Sequence, residues 1–128
     1  MTDSLFVRDV MLLPAQIPVI GTNIILKEAL DEMDKFRLGI VCILDSDRRL
    51  SGVLTDGDIR RKLLHNQKPL SALFIEDAVD HSRANPVTAR PDETLASAVQ
   101  EMGRRQIWDL PVIDTSGMLI GLLHLHPA

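Results

Sequence analysis

The feature that most constrains the fold is an internal repeat. Residues 23–57 align with residues 92–126 at a constant offset of 69 and without a gap, and eight of the 35 aligned pairs are identical. The identical pairs are Leu26/Leu95, Ala29/Ala98, Glu32/Glu101, Met33/Met102, Asp45/Asp114, Leu50/Leu119, Gly52/Gly121 and Leu54/Leu123. Repetition of this kind indicates that one supersecondary unit occurs twice. Because a unit of about 50 residues buries little apolar surface alone, we expect the two copies to pack together.

The hydrophobic spacing within each copy first predicts a one-sided helix. Apolar side chains recur at i, i+3, i+4 and i+7 in both copies: Leu26, Ala29, Leu30 and Met33 in the first, and Leu95, Ala98, Val99 and Met102 in the second. Asn23 and Asp92 occupy matching positions just before these helices, and we expect them to act as N-caps. We interpret the helices with Met33 and Met102 as packing surfaces, either between repeats or between chains.

After each helix the pattern changes to one that is typical of a β-hairpin. An aliphatic run is followed by an aspartate, a polar turn and a second aliphatic run. In the first copy the first run is Ile40–Leu44 and the second run ends at Leu54. In the second copy the first run is Leu110–Ile113 and the second run ends at Leu123. Short strands are expected before the helices, at Ile17–Ile20 and Pro86–Thr88, and a further helix is expected at Asp56–Leu64. The sequence therefore predicts a mixed α/β fold of two β-α-β-β-α repeats, packed as a pseudo-two-fold pair.

We divide the chain by the repeat into residues 5–66, a connector at residues 67–80 that Pro69 interrupts, and residues 81–128. The second copy reaches His126-Pro127-Ala128 where the first copy begins its last helix. We therefore expect that the sequence is a fragment of a longer protein, or that the final helix of the second copy is missing.

Composition and motif content exclude several classes of function. The net charge of −4 and the absence of tyrosine argue against a nucleic-acid-binding surface. Cys42 lies within an aliphatic run, so we expect a buried thiol in a reducing compartment. No leader-like or membrane-spanning run occurs, which favours a cytoplasmic protein without a membrane partner. No G-x-S-x-G, P-loop or Rossmann glycine pattern occurs either, and we do not expect the chain itself to be an enzyme.

One segment has the chemistry of a ligand site: Gly52-Val53-Leu54-Thr55-Asp56-Gly57-Asp58. Thr55 is predicted to end a strand and to open a helix, where the positive end of the helix dipole suits a phosphate. The carboxylate of Asp58 can accept hydrogen bonds from both hydroxyls of a ribose. Gly52 and Gly57 would let a ligand approach the backbone closely. The same threonine and aspartate also match an ordinary capping box, which is the structural alternative.

This doubled unit with a Gly-x-x-Thr-x-x-Asp segment resembles a tandem CBS domain, also called a Bateman module, over residues 5–126. The runs Leu38-Gly39-Ile40, Leu50 to Arg61 and Gly121 to His126 are similar to the C-terminal CBS pair of bacterial D-arabinose 5-phosphate isomerases. They are nearly as similar to the CBS pair that precedes some sugar-nucleotidyltransferase domains. In either case the enzyme domain of the parent protein would lie outside these residues.

The resemblance implies a regulatory module that senses an adenosine nucleotide (AMP or ATP) or a CMP-linked sugar and modulates an attached sugar-phosphate enzyme. It implies nucleotide binding at Thr55, Asp58, Gly52 and Gly57. The base would lie against aliphatic strand ends near Ile20, Leu38, Ile40 and Val41, and near Pro86–Thr88. Arg60 or Arg61 could reach the phosphate, and Trp108 could stack on the base. The resemblance also implies a homodimer formed through helices. The alternative is a structural dimerisation module whose nucleotide site is vestigial.

The second copy departs from this motif. His124 occupies the position of Thr55, and Pro127 occupies the position of Asp58 and has no carboxylate. We therefore expect one competent site, unless His124 and His126 form a different one. Two histidines at that spacing can hold a metal ion, but no cysteine or third histidine is nearby in sequence, so no metal is expected.

Overall fold

The computed structural model describes residues 5–125, which form two compact units. The first unit is Ile17–Pro86, and the second unit combines the described part of Met1–Gln16 with that of Val87–Ala128. In chain order the elements are α1 (Val7–Val10), β1 (Val19–Gly21), α2 (Leu26–Phe36), β2 (Ile40–Leu44), β3 (Leu50–Thr55), α3 (Asp56–His65), α4 (Leu70–Phe74), β4 (Arg83–Ala84), α5 (Leu95–Arg105), β5 (Asp109–Ile113) and β6 (Leu119–His124). The mixed α/β class predicted from the repeat is confirmed.

The first unit is built on a four-stranded sheet in the order β1-β2-β3-β4. Strand β1 is parallel to β2, with α2 as the crossover between them, and the remaining pairs are antiparallel. The β2–β3 register places Ile40 opposite Thr55, and the β3–β4 register places Val53 opposite Arg83. The sheet thus brings residue 83 next to the strand that ends at the candidate ligand segment.

The second unit repeats the hairpin but not the first strand. Strands β5 and β6 pair antiparallel, with Asp109 opposite His124. Where a strand was predicted at Pro86–Thr88, the structure has only an isolated parallel bridge between Ala89 and Val112. That strand prediction was wrong, because Pro86–Thr88 pairs with no strand in the described residues and the bridge lies one residue later, at Ala89.

Both hairpin turns use the same device, which explains why an aspartate occurs twice at this position. Asp45 Oδ1 accepts hydrogen bonds from the amides of Asp47 and Arg49. Asp114 Oδ1 accepts from the amides of Ser116 and Met118 in the same way. A carboxylate that bonds the backbone two residues ahead stabilises a tight turn, so the identity of this pair is local and structural.

The two long helices begin later than the sequence indicates. Helix α2 begins after Ile25 and α5 after Thr94, so the predicted N-caps Asn23 and Asp92 were wrong. Ile25 is held in an isolated bridge to Asp77, and Thr94 in a bridge to Phe6. Because this pairing keeps the residue before each helix extended, the helix can start only at the next position.

A segment outside the aligned residues of the repeat completes each unit. In the first unit the segment 70–84 supplies the fully buried Ala78 and strand β4. In the second unit, residues 5–16 supply the fully buried Val7, and Leu12 exchanges two backbone hydrogen bonds with Leu122, of 2.8 and 2.9 Å. The division into residues 5–66, 67–80 and 81–128 follows the repeat, and it stays a prediction.

Gly52 and Gly121, an identical pair of the repeat, make room for these segments. A Cβ atom at Gly52 would lie 2.8 Å from Ser82 Oγ and 3.0 Å from the Arg83 carbonyl oxygen. A Cβ atom at Gly121 would lie 2.5 Å from Met11 Sδ and 2.8 Å from the Leu12 carbonyl oxygen. Both glycines therefore have a packing function that requires no ligand.

Each unit has its own hydrophobic core. That of the first unit contains Ile20, Leu26, Ala29, Met33, Val41, Ile43, Leu54, Leu73 and Ala78. That of the second contains Val7, Ala89, Ala98, Met102, Leu110, Val112 and Leu123. The two methionines are buried within these cores, and the interpretation of their helices as packing surfaces between repeats or between chains stays a prediction. Cys42 is buried as expected, and no helix in residues 5–125 is long and apolar enough to cross a bilayer.

Candidate functional site

The predicted ligand segment lies at the junction of β3 and α3. Thr55 keeps an extended backbone (φ −115°, ψ 165°) and is the N-cap of α3. Its Oγ1 accepts a hydrogen bond of 3.2 Å from the Asp58 amide and donates one of 3.0 Å to Asp58 Oδ2. The Thr55 amide also donates to Asp58 Oδ2, at 3.0 Å. The capping box that the sequence left open as an alternative is therefore formed.

The other carboxylate oxygen of Asp58, Oδ1, accepts hydrogen bonds from two arginines. Arg61 Nη2 donates to Asp58 Oδ1 at 2.8 Å, and Arg83 Nη2 donates to the same oxygen at 2.9 Å. The Asp58 side chain is only 11% exposed, whereas the Arg61 and Arg83 side chains are 50% and 63% exposed. A nearly buried carboxylate is thus held between a strand end and two guanidinium groups that face water.

The charge state of Asp58 follows from these contacts. Burial on its own raises the pKa of the carboxyl group, but the hydrogen bonds from Arg83, Arg61 and Thr55 together lower the pKa below its ordinary value. At neutral pH the group is a carboxylate that can only accept hydrogen bonds. A partner for it must bring donors, as the two hydroxyls of a ribose do.

Arg83 is the member of this cluster that the sequence analysis missed. It lies 25 residues from Asp58 and reaches it only because β4 pairs with β3. No spacing rule within the chain links the two positions. Arg61 was considered as a phosphate contact, and its guanidinium lies over Gly57, where a Cβ atom would be 3.2 Å from Arg61 Nη1. Arg60, the other candidate, is exposed on α3.

Three of the apolar residues predicted to hold a base, Ile20, Ile40 and Val41, are buried in the first unit. Ile40 is 2% exposed and pairs with Thr55 across the hairpin. Val41 and Ile20 are part of the hydrophobic core, and Ile20 also lines an open groove of about 510 Å³. The groove is otherwise lined by Val19, Gly21, Ile24, Glu28, Asp31 and Glu32. The acidic side chains of this groove distinguish it from the arginine-rich surroundings of Asp58.

The matching position of the second unit has a different chemistry. His124 replaces Thr55, and its Nδ1 lies 2.6 Å from Oδ1 of Asp109, with side chains that are 20% and 12% exposed. Asp109 itself occupies the repeat position of Ile40, so an apolar residue and a hydroxyl are replaced by a polar pair. His126 and Pro127 lie outside the described residues. Trp108, the residue before β5, is 56% exposed, and its stacking on a base stays a prediction.

No group of three or more His, Cys, Asp or Glu side chains within residues 5–125 is arranged to hold a metal ion. The expectation that the chain binds no metal stays a prediction.

Comparisons with known proteins agree with this architecture. Pseudomonas aeruginosa arabinose 5-phosphate isomerase KdsD is 30% identical over 120 residues, which are 94% of this chain and 36% of that protein. The chain thus spans about a third of the length of the curated relatives that it matches.

Two solved structures share the fold at 24% identity. CBSX2 in complex with AMP superposes with a TM-score of 0.82, over 94% of this chain and 90% of that one. The CBS domain pair of MJ0100, in complex with 5′-methylthioadenosine and S-adenosylmethionine, superposes with a TM-score of 0.75, over 93% and 88%. The sequence itself matches the CBS domain twice, over residues 7–65 and 75–126. The chain therefore belongs to the CBS domain family and contains a pair of these domains.

Proposed function

We propose that this CBS pair is a regulatory module that binds an adenosine nucleotide at the start of α3. The observation that carries the proposal is the arrangement of Thr55 and Asp58, which places an ionised, nearly buried carboxylate at a strand-to-helix junction. The carboxylate would accept the ribose hydroxyls, and the positive end of α3 and the neighbouring arginines would attract a phosphate. Gly52, Gly57 and the strand residues Ile20, Ile40 and Val41 complete the proposed site.

Two observations support adenosine as the nucleoside. The structural neighbours CBSX2 and MJ0100 hold AMP, and 5′-methylthioadenosine with S-adenosylmethionine, respectively. CMP-linked sugars are a second ligand class, which rests only on the resemblance to CBS pairs of sugar-nucleotide enzymes. ATP belongs to the first class.

In the parent protein the module would regulate an attached sugar-phosphate enzyme of the arabinose 5-phosphate isomerase type, or a sugar nucleotidyltransferase. A ligand that binds one conformation of the module more tightly raises the population of that conformation. The attached domain is then biased by the difference in affinity between the two conformations. The module itself would be a non-catalytic homodimer in the cytoplasm, with no nucleic-acid or membrane partner.

A structural dimerisation module with a vestigial site is the second candidate, and one observation favours it. Four protein hydrogen bonds already occupy the carboxylate of Asp58, and the capping box alone accounts for both Thr55 and Asp58. A module of this kind would need no ligand.

Calorimetric titration separates the two candidates. We expect AMP to bind the isolated chain with measurable heat and a stoichiometry of one, because only the first unit has the threonine and the aspartate. ATP, S-adenosylmethionine, CMP and a CMP-linked sugar are titrated in parallel to define the class. If none of these ligands produces heat or raises the melting temperature, the structural role is correct and the nucleotide-binding proposal is wrong.

A further inference from the structure

The carboxylate of Asp58 has no acceptor position to spare. Oδ2 accepts from the amide and the hydroxyl of Thr55, and Oδ1 accepts from Arg61 and Arg83. A carboxylate offers about four lone-pair positions, so all of them are in use. A ribose can bind Asp58 only if protein hydrogen bonds are displaced.

The hydrogen bonds from Arg61 and Arg83 are the ones that a ligand can displace. The two bonds from Thr55 are local contacts that begin α3, and losing them would leave a backbone amide at the helix start without its acceptor. The side chains of Arg61 and Arg83 are at least half exposed, so water can solvate them as they leave. A ribose that takes Oδ1 would therefore release two guanidinium groups at once.

The released arginines have a geometry that suits a phosphate. Both Nη2 atoms now lie within 2.9 Å of a single oxygen, so the two guanidinium groups already converge on one point. A guanidinium group is a planar donor that binds phosphate oxygens in a bidentate manner. A ligand with its own phosphate would restore the two charge-assisted contacts that the ribose takes away, whereas an uncharged nucleoside leaves both arginines without an anion.

We propose that Arg61 and Arg83 exchange Asp58 for the phosphate of the ligand, and that this exchange makes the site selective for nucleoside phosphates over uncharged nucleosides. The inference rests on the proposed nucleotide site and adds how that site discriminates against uncharged nucleosides. The structure of the MJ0100 pair holds 5′-methylthioadenosine and S-adenosylmethionine, two ligands without a phosphate.

The position of Arg83 gives the exchange a structural consequence. Arg83 lies in β4, and its contact with Asp58 ties the segment 70–84 to the start of α3. When the ligand phosphate takes the guanidinium group, this direct tie is replaced by one that runs through the ligand. When the site is occupied, the contact between the segment 70–84 and the start of α3 runs through the ligand and no longer through the Arg83–Asp58 hydrogen bond.

Calorimetry with AMP, adenosine and 5′-methylthioadenosine tests the exchange in the full chain. The test variants are Arg83→Gln and Arg61→Gln, and the matched control is Arg48→Gln, which removes the same charge from the exposed β2–β3 turn. We expect the unaltered chain to bind AMP about tenfold or more tightly than either uncharged nucleoside, as charge-assisted hydrogen bonds predict. Arg83→Gln should lower the affinity for AMP by about tenfold. The affinity for adenosine should be unchanged or higher, because the ribose no longer competes with Arg83 for Asp58. Arg48→Gln should preserve the ratio.

Each other outcome overturns a defined part of the account. Equal affinities for AMP and adenosine in the unaltered chain would overturn the exchange and leave nucleoside binding intact. Equal weakening of AMP and adenosine by Arg83→Gln would show that the arginine acts on the fold and not on the phosphate. If neither AMP nor adenosine binds the unaltered chain, the exchange is wrong, and the proposed function is wrong as well if ATP, S-adenosylmethionine, CMP and the CMP-linked sugar also fail to bind. Melting temperatures of the variants verify that each protein is folded.

Discussion

Replacing Gly121 by alanine is expected to lower the free energy of unfolding by about 1–3 kcal/mol, the usual cost of overpacking. The new Cβ atom would lie 2.5 Å from Met11 Sδ and 2.8 Å from the Leu12 carbonyl oxygen. The sulfur can move, but the carbonyl belongs to the backbone that bonds Leu122, so residues 5–16 must shift away from β6. Denaturant unfolding of the variant, combined with limited proteolysis of its N-terminal segment, measures the effect.

Gly103 provides the matched control, because it lies in α5 and a Cβ atom there would meet nothing within 4 Å. Gly103→Ala should raise the free energy of unfolding by about 0.5–1 kcal/mol, since alanine costs less backbone entropy than glycine in a helix. If Gly121→Ala were as stable as Gly103→Ala, residues 5–16 would not pack on β6 as described.

Replacing Asp58 by asparagine should weaken AMP binding by about 10- to 100-fold, the range expected when charge-assisted hydrogen bonds become neutral ones. Asparagine has nearly the same shape and keeps an acceptor for the Thr55 amide. Alanine would be a poorer test, because it also removes the capping box that starts α3. Calorimetry measures the affinity, and the melting temperature reports the loss of the capping contacts separately.

Asp56→Asn is the control for this substitution, since Asp56 is an exposed carboxylate in the first turn of the same helix. It changes the net charge equally, so a general electrostatic effect would appear in both variants. Equal AMP affinity in Asp58→Asn and the unaltered chain would move the nucleotide site elsewhere.

Much of the fold could be predicted because it is encoded locally and encoded twice. Aliphatic runs around Asp45 and Asp114 define the hairpins, and the helical spacing through Met33 and Met102 defines α2 and α5. The helix starts could not be predicted in this way. They depend on bridges from Ile25 to Asp77 and from Thr94 to Phe6, which join residues far apart in the chain.

The candidate site shows the same division between local and distant information. Thr55 and Asp58 could be identified because a capping box and a nucleotide motif are both short local patterns, although the pattern does not separate the two. Arg83 could not, since only the pairing of β3 with β4 brings it to Asp58. Gly52 was interpreted as an opening for a ligand, which stays a prediction, and the sequence did not indicate that it also accommodates Ser82 and the backbone of Arg83.

The most direct test of a nucleotide site in the first unit is an amide chemical-shift titration of the ¹⁵N-labelled chain with AMP. We expect the largest shifts at Thr55, Gly57, Asp58 and Arg83, with saturation at one equivalent. Shifts confined to the surroundings of Asp109 and His124, or no shifts at all, would show that the first unit has no nucleotide site.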